Sequence, residues 1–270
     1  MRVFVEGVGL LGPGLNGWQA SRLLLLGEAP YVNTPTVVIA SDLLPPAERR
    51  RTGVPIKLAL AAGREAFLNA GRDAAATATV FTSSGGDSEN VHDICAALAS
   101  PLREVSPTRF HNSVHNASAG YWSIATRSQE PSTSLCCYDA SFAAGLLETA
   151  AQVTVDGKPV ALIAYDQNYP EPIRAVRAIS ANFGVALVLT PQVSERSLAT
   201  FEVNFVAGKA GPTPMADPAL EAVRATIPAA RCLPLLAALA SGAAATIVLD
   251  YVEDGFLRVA VETCQWPPFP

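Results

Sequence analysis

Histidine is scarce in this chain of 270 residues: His92, His111 and His115 are the only three, and none follows His115. His111 and His115 stand four apart, which would set them on one side of a helix. A metal site built on such a pair needs further ligands, and no HExxH pattern supplies them. Cysteine is sparse and odd in number, with Cys95, Cys136, Cys137, Cys232 and Cys264 lacking metal-site spacing. Adjacent Cys136 and Cys137 on a strand point to opposite faces and cannot jointly grip one ion in the usual way. Reduced thiols of a cytoplasmic protein are therefore expected, with no metal and no other cofactor. Long apolar runs are missing as well, since Leu23 to Leu26 is far too short to span a membrane. Met1 leads directly into the alternating RVFVEGVG, so no signal peptide is expected. A net charge of −5 and a pI near 5.3 give no general attraction for nucleic acid. Arg49, Arg50 and Arg51 form the only run of like charge, which reads as a solvated loop after Pro45 and Pro46.

Half of the residues are hydrophobic, enough for one large core or two small ones. Arg2 to Val8 reads as a first strand before the glycine-rich turn Gly9 to Gly14. GVGLLGPG invites a nucleotide-binding reading, but Pro13 and the spacing argue against it. Tyr31 to Thr52 is rich in proline and reads as an irregular excursion. Val54 to Ala70 is expected as a helix with Ile56, Ala59, Leu60, Ala66 and Phe67 on one face and Gly71 as C-cap. Ala78 to Thr82 reads as a strand ending in SSGGDS, before a helix from about Glu89 to Leu98. Val160 to Tyr165 and Gly184 to Thr190 are continuous apolar runs of the kind found in fully buried strands. Strands alternating with helices imply a layered α/β fold with a mostly parallel sheet.

The segment Pro131 to Gly145, PSTSLCCYDASFAAG, organises the rest. Ser132 to Tyr138 is a short run of small, apolar and β-preferring residues, and Ala140 to Gln152 has helical spacing. Asp139 falls at the junction, where an acid is an ordinary helix N-cap. A cysteine there would have its thiolate stabilised by the same backbone N–H groups. This strand, turn and helix resemble those of a β-ketoacyl synthase. So do the opening GVGLLGPG and the polar stretch Ser106 to Thr126, SPTRFHNSVHNASAGYWSIAT, ahead of the strand. Laid residue on residue, the family's nucleophile position falls on Asp139.

The resemblance implies a thiolase-like ketosynthase fold of the α/β class. Residues 1–190 would form a complete N-terminal half, with a five-stranded mixed sheet in the order 3-2-1-4-5. Residues 191–270 would be a shortened remnant of the C-terminal half. The expected parts of that remnant are a strand at Thr200 to Val206, helices at Pro218 to Ala225 and Ala229 to Ala240, a hairpin of Ala245 to Tyr251 with Phe256 to Val261, and a loose WPPFP tail. The family's catalytic histidines and lysine lie in its second half, where this chain has no histidine. The resemblance is to a chain-length-factor subunit of type II polyketide systems, as in aryl polyene pathways. It implies a non-catalytic partner that forms a heterodimer with a catalytic ketosynthase and meets acyl carrier protein only indirectly. Ser132, Thr133, Ser134, Leu135, Cys136 and Cys137 would form the dimer edge. Phe142, Tyr138, His111 and His115 would shape the acyl tunnel. Two readings stand beside it: a thiol acyltransferase or hydrolase using Cys137 or Cys136 with His111 or His115, and a homodimeric module that binds acyl groups or a carrier protein.

Overall fold

A computed structural model describes residues 1–264; the expected WPPFP tail lies outside the described residues. The sheet contains β1 (Arg2–Gly12), β2 (Leu15–Asn16), β3 (Ala78–Thr82), β4 (Ser132–Leu135), β5 (Val160–Asp166), β6 (Phe183–Thr190), β7 (Ala199–Ala207), β8 (Ala245–Val252) and β9 (Gly255–Thr263). The helices are α1 (Trp18–Leu25), α2 (Pro46–Arg49), α3 (Val54–Ala70), α4 (Ser88–Ala99), α5 (Pro107–Asn112), α6 (Ala117–Thr126), α7 (Ser141–Asp156), α8 (Ile173–Val176), α9 (Pro218–Thr226) and α10 (Leu233–Ser241).

One continuous sheet runs β4-β3-β5-β6-β1-β7-β9-β8, with β2 paired to β1. The expected order 3-2-1-4-5 placed the first strand between Ala78 to Thr82 and Val160 to Tyr165. Instead β5 pairs directly with β3, and β1 lies beyond β6. The parallel pairs are β4–β3 and β3–β5, because the excursion after Asp166 returns the chain antiparallel as β6, whose far side then pairs with β1, also antiparallel. The sheet is thus mixed rather than mostly parallel. β7 pairs with β1 through Val3 and Phe201, so residues beyond 190 extend the same sheet. The middle of the β8 edge is covered: Thr213 N–H donates to Val248 C=O (3.0 Å), and Thr213 Oγ1 accepts from Val248 N–H (2.9 Å). At the opposite edge β4 has one neighbouring strand among the described residues.

Alternation along β5 shows why the sheet is buried on both faces. Val160, Leu162 and Ala164 face a core shared with α7, the turn before α10 and α10 itself, while Ala161, Ile163 and Tyr165 face one built on α3 and α6. Helix α3 begins and ends as its pattern predicts. Ile56, Ala59, Leu60, Ala66 and Phe67 are buried, and Gly71 closes it in a left-handed conformation.

The glycine-rich opening has a packing role. β1 continues through Gly9 to Gly12 instead of ending at Val8. A Cβ on Gly7 would overlap the Ala66 carbonyl, and one on Gly9 the Ala62 carbonyl, so these glycines let α3 lie directly on the strand. No nucleotide-binding turn is formed there.

Candidate functional site at the elbow

β4 ends at Leu135, so the expected strand from Ser132 to Tyr138 is too long: Cys136, Cys137 and Tyr138 belong to the turn. Tyr138 adopts a left-handed φ of 50°, and that residue bends the chain. A hydroxyl holds the bend. Ser141 Oγ accepts from Cys137 N–H (3.0 Å) and donates to Tyr138 C=O (2.7 Å). Cys136 Sγ donates to Ser84 C=O (3.2 Å), which ties the turn to the loop after β3.

Asp139 is not the expected helix cap. It sits in a 3-10 turn, Tyr138–Ala140, and Ala140 occupies the cap position of α7. The Asp139 carboxylate instead accepts from Arg177 Nη2 (2.7 Å) and Arg231 Nη2 (3.1 Å). Charge-assisted bonds to two guanidiniums outcompete the weaker attraction of free helix N–H groups. Arg231 also reaches Asp250 on β8 (3.4 Å), and the Arg177 guanidinium lies 3.6 Å above the Tyr138 ring. These groups surround a cleft of about 230 Å³ with Ile179, Thr226 and Pro228. Sequence reasoning missed both arginines because neither belongs to a recognisable motif and both are remote in sequence from the elbow.

Behind the elbow, Asp166 is buried at the end of β5. Its Oδ1 accepts from Ser84 N–H (2.8 Å) and Ser84 Oγ (2.6 Å), and its Oδ2 accepts from Ala229 N–H (2.8 Å). Burial pushes its carboxyl up to about 6, against the hydrogen bonds from Ser84 and Ala229 that favour the ion. An acid closing the apolar run VALIAYD was the available signal for this residue.

The histidines do not share a helix face. His111 lies on α5, whereas His115 lies in the turn before α6, because the helix stops at Asn112. Both are exposed. His111 joins Phe110, Val114, Ala117, Tyr121 and Ile124 around an apolar cleft of about 540 Å³ on the outer side of α6. Gly120 leaves this cleft open, since no atom lies within 4 Å of where its Cβ would stand. Of the four tunnel candidates, His111 alone lines the cleft. His115 lies beside Gly86, Tyr138 is exposed under Arg177, and Phe142 is buried in the core. Among the described residues no hydrogen bond joins Cys136 or Cys137 to His111 or His115. Nor does any group of three or more His, Cys, Asp or Glu there have the arrangement to hold a metal ion. No helix among the described residues is long and apolar enough to cross a membrane.

Fold and elbow together define a ketosynthase-like α/β protein of the thiolase type, with an acid pair-bonded to arginines in the turn between strand and helix. The chain belongs to the family of the beta-ketoacyl synthase N-terminal domain, whose model matches residues 24–244. No curated protein matches it. Among solved structures it is similar to a chain of the complex of a ketosynthase (ApeO) with its chain length factor (ApeC) from Xenorhabdus doucetiae. That match has 20% identity and a TM-score of 0.73, and covers 96% of this chain and 99% of the other. The ishigamide ketosynthase/chain length factor gives 16% identity, a TM-score of 0.73 and coverage of 97% and 99%. The AntDE:AntF complex, a type II polyketide ketosynthase with its acyl-carrier protein, gives 11% identity, a TM-score of 0.76 and the same coverage. At these identities the likeness is one of fold.

Proposed function

We propose that the chain is a non-catalytic, chain-length-factor-like subunit that pairs with a catalytic β-ketoacyl synthase through the β4 edge and shapes the end of its acyl tunnel. The observations that carry this reading are the open edge of β4 and the apolar cleft on α6, a helix that packs against β3 and β4. An exposed strand edge is a template for pairing with a second chain, and an apolar cleft suits an alkyl or polyene end. The solved complexes support the reading, because each matched chain is nearly as short as this one. The elbow agrees. Claisen chemistry needs an acylatable nucleophile and donors that hold developing negative charge, and here the position assigned to the nucleophile is held by a salt bridge.

Native mass spectrometry of the chain co-expressed with a catalytic β-ketoacyl synthase of its own organism tests the pairing. A one-to-one complex that elongates the acyl chain on an acyl carrier protein, where this chain alone does not, is expected. A homodimer without affinity for that ketosynthase would reject the reading in favour of a binding module. Within the complex, Phe110→Ala should enlarge the cleft and shift products toward longer chains without loss of the dimer. Gly120→Leu should shift them toward shorter ones. Unchanged products in both variants would remove the cleft from the tunnel.

A second reading is kept because the turn exposes Cys136 and leaves Cys137 half-buried. A thiol enzyme requires a thiolate formed near neutral pH. Iodoacetamide should label exposed Cys136 at the rate of an ordinary thiol and half-buried Cys137 more slowly; labelling of either one faster than an ordinary thiol would favour the enzyme.

A further inference from the structure

The charged groups at the elbow form a chain, Arg177–Asp139–Arg231–Asp250, that crosses four separate segments. Asp139 lies in the turn after β4, Arg177 in the stretch between α8 and β6, Arg231 in the 3-10 turn Pro228–Cys232, and Asp250 on β8. The arginines are more enclosed than ordinary surface partners: 17% of the Arg177 side chain and 21% of the Arg231 side chain remain exposed. Isolated surface pairs contribute little, but a partly buried carboxylate shared by two guanidiniums is a network with fixed geometry.

What the network holds is the end of the open edge. Tyr138 keeps 62% of its surface exposed and bends the backbone through a left-handed conformation that a bulky residue adopts only when its surroundings enforce it. Arg177 adds to the hold that the Ser141 hydroxyl has on this bend. Its guanidinium lies over the Tyr138 ring, 3.6 Å from the centroid, while its Nη2 donates to the adjacent Asp139. Cys136, Cys137 and Tyr138 directly follow the edge strand, so the conformation of this turn determines what a neighbouring chain meets where β4 ends.

We propose that Asp139, Arg177 and Arg231 are positioning residues for docking: a charged clasp that pre-forms the Cys136–Asp139 turn as the terminal part of the partner-facing edge. This rests on the partner reading given above. A pre-formed turn removes an ordering cost from association, so opening the clasp weakens binding even where the sheet stays intact.

The test is a double-mutant cycle on the complex with that same-organism ketosynthase, comparing Asp139→Asn, Arg231→Gln and the pair by dissociation constant. Each single change should weaken binding by about tenfold, and the pair should be little worse than either alone, because they disable one device. Arg177→Lys should weaken binding to a similar degree, since an ammonium cannot stack on Tyr138 and fork to Asp139 together. A clasp that merely stabilises the fold would lower the melting temperature and leave the dissociation constant unchanged, which would overturn the proposal. A second measurement uses the isolated chain in a Cys136→Ser background, where Asp139→Asn should accelerate iodoacetamide labelling of Cys137 several-fold by freeing the turn. Unchanged labelling would show that the clasp does not hold it. If the wild-type chain forms no complex, the partner reading fails and the docking role with it, while the labelling still reports on the clasp.

Discussion

Ser134→Pro should abolish co-elution with the ketosynthase at micromolar concentration, a loss of roughly 100-fold or more in affinity, while leaving the chain folded. The reason is the direction of the backbone groups on β4. Thr79 N–H donates to Pro131 C=O, and β4 is parallel to β3 with Thr79 opposite Ser132. In such a ladder, alternate residues bond inward, so Thr133 and Leu135 face β3 while the N–H and C=O of Ser132 and Ser134 face outward. Proline at Ser134 removes an outward donor and places a ring where a neighbouring strand would lie, yet takes no hydrogen bond from β3. Circular dichroism and a melting curve close to wild type would establish folding, and size-exclusion chromatography would read the complex. A Ser134→Pro chain that still elutes with its partner would rule out pairing through this edge.

Asp166→Asn should destabilise the chain by about 2–4 kcal/mol at pH 7, the range for leaving buried hydrogen-bonding groups mismatched. The carboxylate faces two backbone donors that cannot turn away, Ser84 N–H and Ala229 N–H. An amide satisfies one of them and presents its own N–H groups to the other. The wild type carries a pH signature that the variant lacks. Burial raises the Asp166 pKa from an ordinary 3.8 to about 6, so between those values the folded chain holds a proton that the unfolded chain has released. Stability from this group is therefore greatest below about pH 4 and declines as pH rises to about 6. The decline is of order 3 kcal/mol, with the slope confined to that window. Urea denaturation at a series of pH values reads both effects. Equal midpoints for wild type and Asp166→Asn at pH 7, or no difference in slope between pH 4 and 6, would show that Asp166 does not join these loops as described.

Much of the fold was legible because its signals are local. The face of α3 and the cap at Gly71 follow from 3.6-residue spacing and a terminal glycine, and β5 and β6 follow from apolar runs too continuous for an exposed strand. Strand order was not legible in the same way. β1 alternates equally well beside β3 or beside β6, and its place rests on contacts between segments far apart in sequence, among them the approach of α3 to Gly7 and Gly9. The elbow was located, yet its register was misread, since Cys136, Cys137 and Tyr138 look like the end of a strand until the backbone reverses at Tyr138. Among the candidate site residues, His111 reached the apolar cleft and His115 did not, because a break after Asn112 separates two histidines whose spacing suggested one helix. Arg177 and Arg231 carried no pattern at all. Their role exists only once α8, the turn before α10 and the elbow are folded together.

The two ends of the sheet differ in their capacity to grow. At β8 the central outward groups are already taken by Thr213, whereas β4 offers its own to any strand that arrives. A sheet with both ends free can add copies without limit and form a fibre, but one with a single reactive end has a valence of one. If pairing runs through β4, as proposed, assembly would therefore stop at two chains, limited by the end of the sheet that does not bind.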